Sequence, residues 1–378
     1  MMNLNKEEML NLFQAVFPKL EQDKRIALLV DLPSCTEEDN EPWALRRKIA
    51  YQWYEQLEQI KEQLQLEVDF ILYENVKSNN ADLPKRMYIW NQDPLSTFDL
   101  ETLTRSISLD DLFTQYQIFM VLSDFSATAP MKIAANKYNF RAATMSGFSE
   151  KMLGALRIDY ELINKRLQIL KDKLDAAKKI CIDFCVQQKK FHVEFDLTIT
   201  KSHVSGGRFP NAGMVGNLPS GETYIVPNEA PESLSEGVLP VQFSDEIVLY
   251  EIKNNKIVNV LSDGSFSQKE RQHLKEEPAY GNIAELGFGI LGDFGIAPIG
   301  EVLLDEKLGF HIAFGRSDHF GGLVGPQHFS SPEKVVHIDY VYIKETQPLV
   351  AINKMELFFA DSSQIIMHNN KYSLWEEQ

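Results

Sequence analysis

Apolar residues in the first part of the chain fall into two alternating rhythms. RIALLVDLP (25–33) is a short apolar run closed by proline, the pattern of a buried strand. EPWALRRKIAYQWYEQLEQIKEQL (41–64) follows with helical spacing, and Asn40 ahead of Glu41 and Pro42 is a suitable helix start. LEVDFILYE (66–74) and QIFMVLSDF (117–125) again read as strands. SATAPMKIAANKY is a turn leading into a helix, and NFRAATM (139–145) comes after it. Strand and helix signals in alternation predict a largely parallel sheet with helices on its faces.

RIDYELINKRLQILKDKLDAAKK (157–179) is the longest amphipathic segment. Ile163, Leu167, Leu170, Leu174 and Ala177 recur at spacings of three and four, a stripe that faces a core. Ile180–Val186 and Phe191–Thr200 then read as two strands, the second alternating Phe191, Val193, Phe195, Leu197 and Ile199. Glycine marks a change of character. Only Gly147 and Gly154 of the 20 glycines precede residue 200, and the other 18 lie between Gly206 and Gly325. The expected organisation is an α/β N-terminal domain with a mostly parallel sheet over 1–200, and a strand-rich, glycine-rich α+β domain over 201–378. SFSQKERQHLKEEPAY (265–280) is a polar helical segment within the latter, and no repeat or low-complexity tract is present.

Charge narrows the partners. Lys plus Arg total 38 against 54 Asp plus Glu in 378 residues, a net charge of −16, which repels phosphate backbones and anionic membranes alike. No run approaches ~18 consecutive apolar residues. The start MMNLNKEEML is charged and amphipathic, without the apolar stretch of a secretory signal. Three cysteines, Cys35, Cys181 and Cys185, point to a reducing, cytoplasmic setting. Cys181 and Cys185 share a strand face around Asp183; with no two further soft ligands nearby in sequence, they read as small core residues. Near-absence of glycine before residue 200 excludes a dinucleotide or Walker A phosphate loop there, and GFGILGDFG (287–295) lacks the required spacing.

The candidate chemistry lies in the C-terminal half. Four of eight histidines, His311, His319, His328 and His337, fall within 27 residues. VVHIDYVY (335–342) should be a buried strand, and side chains two apart in a strand share a face, so His337 and Asp339 project together. In NIAELGFGI (282–290), Glu285 shares its face with Gly287 and Gly289, leaving room for something bulky. GNLPSGETYIVP places Glu222 at a strand start, and LDEKLGFHIAFG places His311 in an apolar stretch. Three carboxylates and two imidazoles in contexts that should be buried call for metal, because an unpaired buried charge is costly. The set suits zinc, cobalt, manganese or iron, and its size exceeds one tetrahedral zinc.

The ordered segments NLPSGETYIVP, AELGFGI, LDEKLGFHIAFG and VVHIDYVY resemble the metal-binding segments of the M29 metallopeptidases, the thermophilic aminopeptidase T family, over roughly residues 145–378. The helix at 157–179 and ADSSQIIMHNNKYSLW (360–375) are similar to further parts of that family. The resemblance implies ligands at Glu222, Glu285, His311, His337 and Asp339, two divalent ions (Zn, Co or Mn), and a homodimer. The family carries a ligand-like tyrosine seven residues after the first histidine, where this chain has Asp318. Either Asp318 or His319 takes its place, or the position is empty. CVQQKKFHV stands where the family has a glycine-rich turn.

The implied activity is removal of N-terminal residues from peptides by a two-metal-activated water, an aminopeptidase of the EC 3.4.11 class. Asp305 and Glu306 are candidates for a general base or for a partner holding His311, and Asp318 is a weaker catalytic candidate. Two alternatives stand beside it. One is a non-peptidase tailoring enzyme or binding protein, acting on a small molecule or modified peptide, on the same scaffold. The other is a mononuclear Fe(II) ring-cleaving dioxygenase, for which His311, His337 and Asp339 would form the two-histidine, one-carboxylate triad. The dioxygenases of this fold are expected to carry histidine where this chain has Glu285. Arg208 is either a substrate-carboxylate contact or a surface-loop residue; His192, His203 and His328 read as surface residues, and Trp43, Trp53 and Trp90 as packing.

Overall fold

The computed structural model describes residues 3–90 and 103–375. It is mixed α/β with several sheets, and its contacts form two units: residues 1–161 with 207–220, and residues 162–206 with 221–378. The division therefore falls near 161 and not at 200, where glycine usage changes. Two pairings explain the shift. Val215–Asn217 pairs in parallel with Arg141–Ser146, which returns residues 207–220 to the first unit. Thr223 donates to the Leu167 carbonyl at 3.0 Å, tying the helix Tyr160–Ala176 to the second.

The first unit is built on a seven-stranded sheet in the order Val215–Asn217, Arg141–Ser146, Ile118–Ser123, Arg25–Leu32, Glu67–Glu74, Arg86–Trp90, Ser106–Ser108. The first five strands pair in parallel and the last two are antiparallel additions, matching the strand–helix alternation. Ala27, Leu29, Ile71, Phe119 and Val121 pack with Met131 and Ala135 of the helix Thr128–Tyr138. The helix Glu41–Leu64 starts as expected, with Asn40 accepting from the Trp43 backbone, and buries Trp43 and Trp53. Trp90, at the end of its strand, is only half-buried. Arg208 contacts Glu161 and the Ala15 carbonyl, both at 3.1 Å.

The second unit holds two antiparallel sheets. In the eight-stranded sheet, Lys179–Val186 and Lys189–Asp196 form a hairpin that packs beside Val350–Phe358. Its turn is Gln187-Gln188, both left-handed (φ 47° and 71°), the geometry a two-residue hairpin requires even without glycine. The second strand ends at Asp196, short of the expected Thr200, and Ile199 is exposed. Ile163, Leu167, Leu170 and Leu174 are completely buried, as their spacing predicts. The five-stranded sheet runs His337–Val341, Phe310–Gly315, Ile283–Gly289, Glu222–Ile225, His203–Ser205. No helix among the described residues is long and apolar enough to cross a membrane.

Candidate metal centre

The five-stranded sheet brings four sequence-distant segments onto one face. Glu222 pairs opposite Gly289, Tyr224 and His311 both oppose Gly287, and Ala313 opposes both Glu285 and Asp339. Side chains alternate between faces along each strand, so this register puts Glu222, Tyr224, Glu285, His311, His337 and Asp339 on the same side. The opposite face carries Leu286, Phe288, Phe310, Ile312 and Phe314, all buried to within 1%. The His337 strand is the sheet's last and only half-buried, where a buried strand was expected; an edge position has a neighbour on one side only.

The glycines make room for specific neighbours. A Cβ on Gly287 would lie 1.9 Å from His311 Nε2, and one on Gly289 would lie 2.3 Å from the Lys307 carbonyl carbon. The missing side chains thus admit an imidazole and a stretch of backbone.

All five residues converge. His311 Nε2 lies 3.6 Å from Glu285, 3.8 Å from Glu222 and 3.9 Å from Asp339. His337 Nε2 lies 3.1 Å from Glu285 and 3.6 Å from Asp339. Their donor atoms form two groups, Glu222–Glu285–His311 and Glu285–His337–Asp339, each with all atoms within 4.8 Å of one another. His337 and Glu285 are within hydrogen-bond reach, whereas the other four contacts, at 3.6–3.9 Å, exceed it and lie at or just beyond the roughly 3.3–3.6 Å separating atoms bound tetrahedrally to one ion.

Two further observations fit a cation. Glu222 Oε2 is fully buried with no hydrogen-bond partner among the described residues, a costly state that a metal would relieve. His337 Nδ1 meets the Arg316 carbonyl at 2.7 Å, which fixes the proton on Nδ1 and turns the Nε2 lone pair toward the carboxylates. Without metal, the imidazoles balance the acids. Burial works against charge on His311, but Glu285, Asp339 and Glu222 outweigh it and raise its pKa to about 9. Burial is likewise outweighed at His337, where Asp339 and Glu285 raise it to about 11. Glu285 is pushed up by burial, yet the two histidines hold it well below the usual carboxylate range.

Lys307 is a member of the site that sequence spacing did not expose. It is buried, donates to Glu222 at 2.5 Å and also pairs with Glu306. Burial opposes its charge, but the two acids outweigh this and keep it protonated. Burial, offset by Lys307 and reinforced by Glu222 and Asp339, pushes Glu306 up to about 7. Asp305 instead accepts from the backbones of Ile299 (2.9 Å) and Gly300 (3.0 Å), a loop-holding role. Neither acid holds His311, whose Nδ1 has no partner among the described residues. Asp318 pairs with Arg316 at 2.5 Å and lies outside both donor groups, as does His319. Burial, with His337 and Arg316, lowers His319 to about 4. His328 accepts from the Gly325 backbone at 3.1 Å.

The hairpin register gives Cys181 two neighbours that could bind metal, neither of them a thiolate. It brings Glu194 opposite Cys181, and with His192 from the same strand the three form a third group of metal-capable side chains. That group is already paired internally: Lys179 holds Glu194 at 2.7 Å and Asp183 holds His192 at 2.6 Å.

No family model and no curated protein matches the chain. Solved structures do resemble it, two of them over nearly the whole chain. One is 2,5-dihydroxypyridine dioxygenase from Pseudomonas putida KT2440, at 14% identity over 98% of each chain with a TM-score of 0.57. The other is AmpT from Thermus thermophilus, at 13% identity over 97% of this chain and 98% of that one, with a TM-score of 0.51. At such identities the likeness is one of fold: over nearly its whole length, the chain folds like two enzymes of different chemistry.

Proposed function

We propose that the chain is a metal-dependent hydrolase, most simply an aminopeptidase. The observation that carries this reading is the shared carboxylate: Glu285 belongs to both donor groups, each of which has two further donors of its own. Glu222 and His311 would hold one divalent ion, His337 and Asp339 the other, with Glu285 between them. Cations bound there supply Lewis acidity, acidifying a water and polarising an acyl carbonyl. A cation there would also take a free α-amino group as a neutral amine ligand, which an N-blocked peptide cannot offer. Glu306, raised by burial against the pull of Lys307, would be the group to take a proton from that water, through the carboxylate oxygen that Lys307 leaves free. The proposed assembly is a homodimer in a reducing compartment, in keeping with three free cysteines.

A second reading is an iron-dependent ring-cleaving dioxygenase. His311 and His337 each lie within 3.9 Å of Asp339, although the three do not close into one donor group, and a dioxygenase is among the fold neighbours. Glu222 and Glu285 are surplus to such a triad and favour the hydrolase. Metal analysis with peptide hydrolysis decides between them. The hydrolase binds about two zinc, cobalt or manganese ions per chain, cleaves unblocked dipeptides, spares N-blocked ones, and loses metal in Glu285→Ala. One oxygen-sensitive iron per chain, with no dipeptide cleavage, would establish the dioxygenase instead.

A further inference from the structure

Beside the metal-capable cluster, on the same sheet face, lies a ledge of rings. Tyr224 is two residues beyond Glu222, and His203 opposes it on the next strand, stacked at 5.4 Å and 27°. Phe320, from the turn after the His311 strand, reaches across to lie 4.7 Å from Tyr224 and 5.3 Å from His337. His319 lies 4.0 Å from Phe320 and 5.2 Å from His337. The path runs from one edge strand of the sheet to the other along the margin of the acid and imidazole cluster.

These rings are not needed to close the core, which lies on the sheet's opposite face and is filled by Leu286, Phe288, Phe310, Ile312 and Phe314. His203 and His319 are exposed, and Tyr224 and Phe320 half-buried. The Tyr224 hydroxyl has no hydrogen-bond partner among the described residues. Partly exposed aromatic surface beside a few convergent polar groups is the composition of a small-molecule subsite.

We propose that this ledge is the specificity wall of the site, receiving an aromatic side chain of the substrate while the neighbouring cluster holds the reacting group. The inference rests on the hydrolytic reading of the metal centre and adds a substrate class to it.

The test is calorimetric titration of the zinc-loaded full chain with phenylalanine hydroxamate and alanine hydroxamate, two chelating probes that differ only in the ring. The expected result is a preference of about tenfold or more for the phenylalanine probe. Phe320→Ala and Tyr224→Ala should each narrow that ratio to about twofold, with zinc content measured alongside. Equal, zinc-dependent binding of both probes to the unmodified chain would overturn the ledge and leave the metal centre standing. Absence of zinc-dependent binding for both would overturn the hydrolytic centre, and the ledge with it.

Discussion

Lys307 and Glu222 divide the work of one carboxylate. The ammonium takes Oε1 at 2.5 Å, while Oε2, buried and unpartnered, faces His311 Nε2 at 3.8 Å. Lys307 thereby fixes Glu222 as a single-oxygen donor. Replacing it with Met would leave Glu222 and Glu306 as buried acids without their cation. Breaking such a pair costs about 3–5 kcal/mol. Chemical unfolding of Lys307→Met in EDTA should show a loss of that order, and zinc should restore more stability to the variant than to the parent. A loss below about 1 kcal/mol, the scale of an exposed pair, would mean Glu222 does not depend on Lys307.

Gly287→Ala tests the placement of His311. The added Cβ, 1.9 Å from Nε2, forces the imidazole away from Glu222 and Glu285. Affinity for one ion should fall by about 10–100-fold, the range seen when a histidine ligand loses its orientation. The ion at Glu285, His337 and Asp339 should be largely retained, so competitive chelator titration should resolve one weakened and one normal site. Loss of both ions together would show that the two groups cannot fill independently.

In the first unit, Arg141 and Asp23 form an ion pair at 2.6 Å with both side chains about 1% exposed. Arg141 also donates to the carbonyls of Pro18 (2.9 Å) and Phe209 (2.7 Å). Arg141→Leu strands one buried acid and two carbonyls, and should destabilise the chain by about 3–5 kcal/mol in denaturant titration. The double variant Arg141→Leu/Asp23→Leu should recover a substantial part of that loss, because no unpaired charge remains.

Asp196 gives a pH signature away from the metal centre. Burial pushes its carboxyl up, but Thr198, Asn228 and the Leu234 backbone outweigh this and hold it below its ordinary value. A carboxyl with a depressed folded pKa binds fewer protons folded than unfolded near that value, so its stabilisation is present above the unfolded pKa and lost as pH falls through the folded one. The stability advantage of the parent over Asp196→Asn should be constant above about pH 5 and shrink below about pH 4. An advantage that persists unchanged to pH 2 would contradict this assignment.

Much of the site was legible because strand periodicity is rigid. His337 and Asp339 had to share a face, and Gly287 and Gly289 had to leave space beside Glu285. The missed features all depend on register or on chain return. Lys307 follows two acids in what reads as a charged turn, and only the approach of that turn to Glu222 buries it. The ring ledge needs His203 opposite Tyr224 and a turn that carries Phe320 across, neither of which any local pattern specifies. Cys181 meets Glu194 through the hairpin register set by Gln187 and Gln188, a turn written in residues that seldom adopt left-handed backbone. The contact units do not follow glycine usage, because the short strand Val215–Asn217 rejoins the first sheet from within a glycine-rich stretch.

His337 and Asp339 sit on a strand tethered to the sheet along one side, whereas Glu222, Glu285 and His311 are clamped from both. Peeling that border strand away would remove two of the five donors at a stroke and leave three in place. On the two-ion reading proposed above, loading and unloading would be lopsided: one ion would be held by interior strands, and the other would exchange at a seam closed by a single row of backbone hydrogen bonds.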